Sequence, residues 1–201
     1  MARTYTMRKR AEVRDRTRDR ILQATMALHD EQGVAPTTFS DVAGRAGVGV
    51  ATVFRHFPTL GDLVRTCGGH VWQEMQPPMP HTAAAVFTGA ETTPARIARL
   101  VDELDAFYGR GALRLGLAAR DRELIPELDQ FLGAIDAGVG ALVSEALSLA
   151  NPSPRTLEVA GALVSFPVWA AINRLGMPSA ERTRIWSDIL KCGVRSAGVV
   201  A

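Results

Sequence analysis

The stretch from Thr38 to Phe57, TFSDVAGRAGVGVATVFRHF, constrains the fold of this 201-residue chain more than any other. Phe39, Val42, Ala43 and Ala46 fall at i, i+3, i+4 and i+7, the apolar stripe of one helical face. Thr38 precedes that stripe and Asp41 follows three residues later, the pattern of a capping box. Gly47 stands after the last apolar position, where a left-handed residue ends a helix without a Cβ penalty. A second helix starts at Val50 after Gly49, with Val53 and Phe57 facing inward. The small Ala43 and Ala46 let the two helices cross closely. Val50, Ala51, Thr52, Arg55 and His56 then point outward, as a helix entering a DNA major groove requires. An ordinary helical hairpin inside an all-α core has the same spacing, so spacing alone leaves both readings open.

The rest of the chain reads as helices too. A first helix is expected from about Val13 to Gln32, with Ile21, Ala24, Thr25 and Leu28 on one face and Gly33 as its stop. Thr59 and Asp62 form a second capping box, opening a helix with Leu60, Leu63, Val64, Cys67, Val71 and Met75 in phase. Gly68-Gly69 predicts a bend there. Pro77, Pro78 and Pro80 begin a loop to about Thr93. Pro94 opens a helix carrying Ile97, Leu100, Val101, Leu104 and Tyr108, followed by a short helix near Ala112–Arg120. Ile125, Leu128, Leu132, Ile135, Val139, Leu142, Ala146 and Leu149 repeat like a heptad seam, with Gly133, Gly138 and Gly140 available for close helix approach. Asn151-Pro152-Ser153-Pro154 ends that run. The next helix bears Leu157, Ala160, Val164, Val168, Ala171 and Leu175 and should kink at Pro167. A last helix carries Trp186, Ile189, Leu190 and Gly193. No segment alternates like a strand. The expectation is an all-α fold of about nine helices: an N-terminal three-helix domain with a helix–turn–helix, then a helical regulatory and dimerisation domain.

Charge is distributed unevenly. Arg3, Arg8, Lys9, Arg10, Arg14, Arg16, Arg18 and Arg20 oppose only Glu12, Asp15 and Asp19 in the first twenty residues, while the whole chain carries a formal +2. A basic arm ahead of a helix–turn–helix fits contact with backbone phosphates; Arg18 and Arg20, with Asp neighbours on the same helix, are weaker candidates. Apolar residues make up 47% and charged residues 22%, a globular balance. No apolar run approaches the ~18–20 residues of a membrane span, and no secretory signal is evident, so the expected compartment is the cytoplasm. Cys67 and Cys192 lack zinc or redox spacing and read as small buried hydrophobes. His29, His56, His70 and His81 show no metal-ligand spacing. The chain lacks a GxSxG elbow, an HExxH pair, a Walker loop and a strand-borne GxGxxG, so an enzyme, a metal site and a cofactor are not expected. A helical interaction module with a purely structural hairpin is the other alternative; the charge polarity argues against it.

Residues Thr38–Val64 resemble the DNA-binding segment of TetR-family transcriptional regulators. Val42-Ala43, Ala46-Gly47-Val48, Thr52, Phe54 and His56-Phe57-Pro58 carry the likeness, which covers about the first third of the chain. The resemblance implies a DNA-binding domain over 1–59 and a ligand-binding and dimerisation domain over 60–201. Its expected partners are double-stranded DNA, a second copy of the chain and a small-molecule effector, with no membrane, and repression is the expected sign of regulation. The expected DNA-binding residues are Thr38, Arg45, Gly49, Val50, Ala51, Thr52, Phe54, Arg55 and His56. Val50 and Ala51 offer apolar surface to thymine methyls, Arg55 can reach guanine, and Thr38, His56 and Arg45 lie near phosphates. Gly49 replaces the family's common Ser cap, Phe54 its phosphate-binding Tyr and Leu60 its Lys, which weakens backbone anchoring. Ligand-binding candidates are the bulky Trp72, Met75, Phe87, Phe107, Phe131, Phe166 and Trp169. Dimer candidates are Leu157, Val164, Val168, Trp186, Ile189 and Leu190.

Overall fold

The computed structural model describes residues 2–198, with side chains from residue 9 onward. Among them every regular element is helical. Ten α-helices run in order: α1 Ala2–Gln32, α2 Phe39–Ala46, α3 Val50–His56, α4 Leu60–Met75, α5 Ala83–Val86, α6 Thr93–Asp121, α7 Pro126–Leu147, α8 Pro154–Leu163, α9 Phe166–Asn173 and α10 Ser179–Ser196. Single 3-10 turns cover Pro80–Thr82, Arg122–Leu124 and Ser148–Ala150. The chain divides into two units, residues 1–73 with 116–131, and residues 74–115 with 132–201.

The first unit holds the hairpin of interest. Ile21, Leu22, Ala24 and Leu28 of α1 meet Val42, Ala43, Ala46, Val53, Phe57, Leu63 and Cys67 in one buried cluster. The apolar stripes expected on α1, α2 and α3 therefore close on each other. Two local expectations are corrected. Helix α1 starts at Ala2 and not near Val13, and α4 runs through Gly68-Gly69 as one helix, since glycine costs a helix only about 1 kcal/mol relative to alanine. Of the basic arm, the side chains of Arg3 and Arg8 lie outside the described residues.

In the second unit the loop expected up to Thr93 contains α5, and α6 continues without a break through the region expected as a separate helix near Ala112–Arg120. The α7 seam is buried from Leu128 to Ala146, but Leu149 is exposed because the helix has already tightened into a 3-10 turn. Of the three glycines on α7, only Gly138 serves a close approach: a Cβ there would collide with the Pro78 carbonyl, whereas Gly133 and Gly140 have nothing near. Cys192 is exposed on α10, not buried as expected.

Pro167 does more than kink. It lacks an N–H and would clash with the carbonyl four residues earlier, so α8 ends at Leu163, Ser165 turns extended (φ −65°, ψ 154°), and α9 restarts at Phe166. The break strands two carbonyls that buried side chains satisfy. Trp186 Nε1 donates to Leu163 O at 2.8 Å, and the Tyr108 hydroxyl donates to Val164 O at 3.0 Å. The segments Pro126–Ala150 and Pro154–Asn173 are, by length and composition, apolar enough to cross a membrane, a property the run-length reading missed. The first buries Leu128, Leu132, Ile135, Val139, Leu142, Val143 and Leu147 in the fold; the second is the broken α8–α9 pair.

A single carboxylate ties three elements of this unit. Asp105 of α6 accepts from Trp169 Nε1 of α9 (2.7 Å), from Ser179 Oγ (2.7 Å) and, in bidentate fashion, from Arg182 Nε and Nη2 of α10 (2.7 and 2.8 Å). Burial pushes its pKa up, but Arg182, Trp169 and Ser179 outweigh that and hold the carboxyl below its usual range.

Candidate nucleic-acid interface

Both ends of α2 are fixed by the residues the sequence marks. Thr38 is the N-cap, its hydroxyl oxygen accepting from Asp41 N at 3.2 Å. The Asp41 carboxylate accepts in return from Thr38 N (3.0 Å) and Thr38 Oγ1 (2.6 Å). These bonds hold the Asp41 carboxyl below its ordinary range. Gly47 is left-handed (φ 61°, ψ 43°). Gly47 N donates to Gly44 O at 3.2 Å and Val48 N to Ala43 O at 3.0 Å, the paired bonds of a Schellman motif.

The turn is also held from α1, which the sequence reading did not anticipate. Arg20 Nη2 donates to the Ala46 carbonyl and, at 3.3 Å, to that of Gly47. The Arg18 guanidinium lies over the Phe57 ring, 4.8 Å from its centroid. These arginines are thus engaged by the motif rather than by the Asp residues beside them. Asp121 adds a third anchor: its Oδ2 accepts from Val34 N (2.8 Å) and Ala35 N (3.0 Å), fixing the segment that leads into α2. The Arg120 side chain beside it, aided by the two backbone N–H groups, holds the Asp121 carboxyl low.

Helix α3 starts at Gly49, which caps without a side-chain hydrogen bond. Thr52 N (2.8 Å) and Val53 N (3.3 Å) donate to its carbonyl. Val53 and Phe57 are buried. Val50, Ala51, Phe54 and Arg55 are exposed, and Thr52 and His56 half-buried. Phe54 meets Phe39 edge to face at 4.5 Å, so the ring without a hydroxyl braces α2 against α3. Arg45 is committed elsewhere: Nη1 and Nη2 pair with the Glu31 carboxylate at 2.8 and 2.6 Å. Burial, then the cations Arg55, Arg18 and Arg14, depress the His56 pKa against the weaker pull of Asp15.

The bulky candidates in the remaining helices fall into two groups. Trp72 and Phe131 meet edge to face at 5.4 Å in the first unit. Met75, Phe87, Phe107 and Trp169 are buried in the second, with Phe166 half-buried. Phe107, Phe166 and Trp169 surround Tyr108 at centroid distances of 5.2, 5.6 and 5.7 Å. Of the six dimer candidates, Val164, Trp186 and Leu190 are wholly buried within the chain's own core, Leu157 and Val168 are half-buried, and Ile189 is exposed.

A doubly capped helix pair, its second helix presented by three anchors and followed by a helical bundle, defines a helix–turn–helix DNA-binding regulator. Comparison with known proteins narrows the class. Residues 21–67 match the family described as bacterial regulatory proteins, tetR family. The HTH-type transcriptional regulator Rv2912c of Mycobacterium tuberculosis is 30% identical over 140 residues, 69% of either chain. Mb2936c of Mycobacterium bovis matches to the same extent. The chain belongs to the TetR family of transcriptional regulators. Two crystal structures share its fold. One is a TetR-family regulator of Mesorhizobium loti (TM-score 0.55, 16% identity, 92% of this chain and 98% of that one). The other is the TetR-like regulator LfrR of Mycobacterium smegmatis in complex with proflavine (TM-score 0.50, 24% identity, 92% and 99%).

Proposed function

We propose that the protein is a ligand-responsive repressor that binds a pseudo-palindromic operator as a homodimer and leaves it when a small molecule binds. The exposed face of α3 carries this reading: Val50, Ala51, Thr52 and Arg55 stand on one short helix whose other face is locked into the core. Val50 and Ala51 suit thymine methyl groups. Arg55, without a hydrogen bond or ion pair among the described residues, is free to take guanine O6 and N7. Residues 1–59 would read DNA and residues 60–201 would dimerise and receive the effector, in the cytoplasm. Half-sites on one DNA face lie about 34–36 Å apart, so a small change in the spacing of two heads loses both sets of contacts together.

Dimerisation is assigned to α8, α9 and α10, on which Ile189 is exposed and Leu157 and Val168 are half-buried. Val164, Trp186 and Leu190 would contribute only as buried packing within those helices. An apolar or aromatic effector is the working expectation, because pockets of this kind are mostly apolar; LfrR bound to proflavine, a planar aromatic, is a relative in fold that takes one. Repression needs only occlusion of a promoter, whereas activation needs a further polymerase contact.

Footprinting on the DNA upstream of the protein's own gene tests the reading. Two protected half-sites on one face, lost in Arg55→Ala, are expected, together with a dimer by sedimentation. A micromolar monomer, or no binding at low salt, overturns it.

A further inference from the structure

The α1 and α3 helices bring a second set of charged groups together beside the base-reading face. Arg20 clamps the α2–α3 turn to α1, and Arg18 lies against the Phe57 ring, one residue past His56. That places Arg18, and Arg14 one turn before it on α1, alongside the C-terminal end of α3. The groups that act electrostatically on His56 come from both elements: Arg55 on α3, and Arg14, Arg18 and Asp15 on α1. Arg18 makes no hydrogen bond or ion pair among the described residues, so its N–H groups are available. Among the described residues Arg14 pairs only with Asp15, at 3.3 Å with both side chains largely exposed, a kind of pair that contributes little and yields to a stronger anion.

We propose that Arg14, Arg18 and His56 form one seat for a DNA phosphodiester, and that filling it places a proton on His56, so that operator binding takes up protons. The inference rests on the operator-binding reading above and adds to it a regulation by pH. Partial burial and then three cations hold the imidazole's pKa below its ordinary value in the free protein, with Asp15 alone opposing them. A phosphate between the same groups reverses the balance. It offsets the guanidinium charges and gives the imidazolium an anionic partner, and an opposite charge within ~4–6 Å raises a histidine pKa by about one to three units. The sign follows. Because the bound form holds its proton to higher pH than the free form, affinity strengthens as pH falls from the bound midpoint to the free one, and is level outside that window. Within it the gain approaches about tenfold per pH unit for each subunit.

The footprinted duplex serves as the probe. The His56 ring is followed by NMR with and without DNA, and binding heats are measured near pH 6.5 in two buffers of different ionisation enthalpy. The midpoint should stand below the ordinary histidine value in the free protein and rise by at least a unit in the complex, with net proton uptake. His56→Gln keeps an amide donor and should bind with that uptake removed. Arg14→Gln should reduce the log–log salt slope by about one and raise the free His56 midpoint. Binding of the wild type with an unmoved His56 midpoint and no uptake between pH 5 and 7.5 overturns the proposal, as does undiminished uptake by His56→Gln. Should His56→Gln fail to fold, the wild-type titration decides. Absence of any wild-type binding removes the operator reading itself, an outcome distinct from binding without protons.

Discussion

Replacing Asp105 tests how the second unit is held together. The Asp105 side chain is 8% exposed and the Arg182 side chain 14% exposed, so the pair lies mostly out of water. Asp105→Ala removes the acceptor of four hydrogen bonds and strands the guanidinium and the Trp169 N–H. Breaking one side of a buried ion pair costs about 3–5 kcal/mol, a large part of the ~5–15 kcal/mol that holds a domain folded. With a urea m-value of about 2 kcal/mol/M, the midpoint should fall by about 1.5–2.5 M. Tryptophan fluorescence in a Trp72→Phe background, leaving Trp169 and Trp186 of the second unit, reports the transition. Asp105→Leu combined with Arg182→Met removes both charges and should cost clearly less than either substitution alone, because the main penalty is the orphaned charge. The folded carboxyl sits below its unfolded value, so its contribution is complete above pH ~4 and is lost as pH falls through the folded pKa. A shift under ~1 kcal/mol for Asp105→Ala, against the 3–5 worked above, would refute the reasoning. So would a double variant whose cost is the sum of the two singles.

Glu31→Gln should release Arg45 from its carboxylate; if Arg45 then reaches a phosphate, the salt slope of DNA binding steepens by about one, and no change in Arg45→Ala removes Arg45 from the interface. His29 is held neutral by burial, which outweighs Asp30 and Asp121 and lowers its pKa to about 4, while its Nε2 lacks a partner. The unfolded chain takes that proton more readily, so stability should fall between pH ~6.5 and ~4 by up to about 3 kcal/mol, and the slope in urea titrations should flatten in His29→Phe. Gly138→Ala forces a Cβ against the Pro78 carbonyl and should lose about 1–3 kcal/mol in thermal melts. Gly140→Ala meets nothing and should gain up to about 1 kcal/mol from helix propensity; equal melting shifts would contradict the packing difference.

The helix–turn–helix was legible because its punctuation is local. Thr38, Asp41, Gly47, Thr59 and Asp62 act within three or four residues of themselves, and the structure gives each the capping role its spacing implies. The apolar face of α2 was legible for the same reason. What failed depended on weak local signals. The short helix expected near Ala112–Arg120 is the end of α6, because glycines such as Gly109 and Gly111 cost a helix too little to break it. Pro167 was recognised, yet whether a helix kinks or stops there depends on who satisfies the freed carbonyls. Tyr108 and Trp186, 56 and 23 residues away, settle that.

The long-range anchors, of the interface and of the second unit alike, were invisible for a stricter reason: each joins residues with no periodic relation. Asp121 lies 86 and 87 residues from the N–H groups it accepts, Arg20 acts 26 residues ahead, and Asp105 and Arg182 are 77 apart. A charged residue on an amphipathic helix carries no mark that separates a solvated side chain from one that clamps a distant carbonyl. This changes how the departures at Gly49 and Phe54 read. From sequence they subtract two backbone anchors. In the fold, Phe54 braces α2 against α3 while Arg20 and Asp121 stiffen the turn and its approach. A rigidly held α3 loses less conformational freedom on meeting DNA, which offsets missing phosphate contacts. If α3 reads DNA as proposed, affinity depends on how firmly Arg20 and Asp121 present it as well as on the number of groups that touch the backbone.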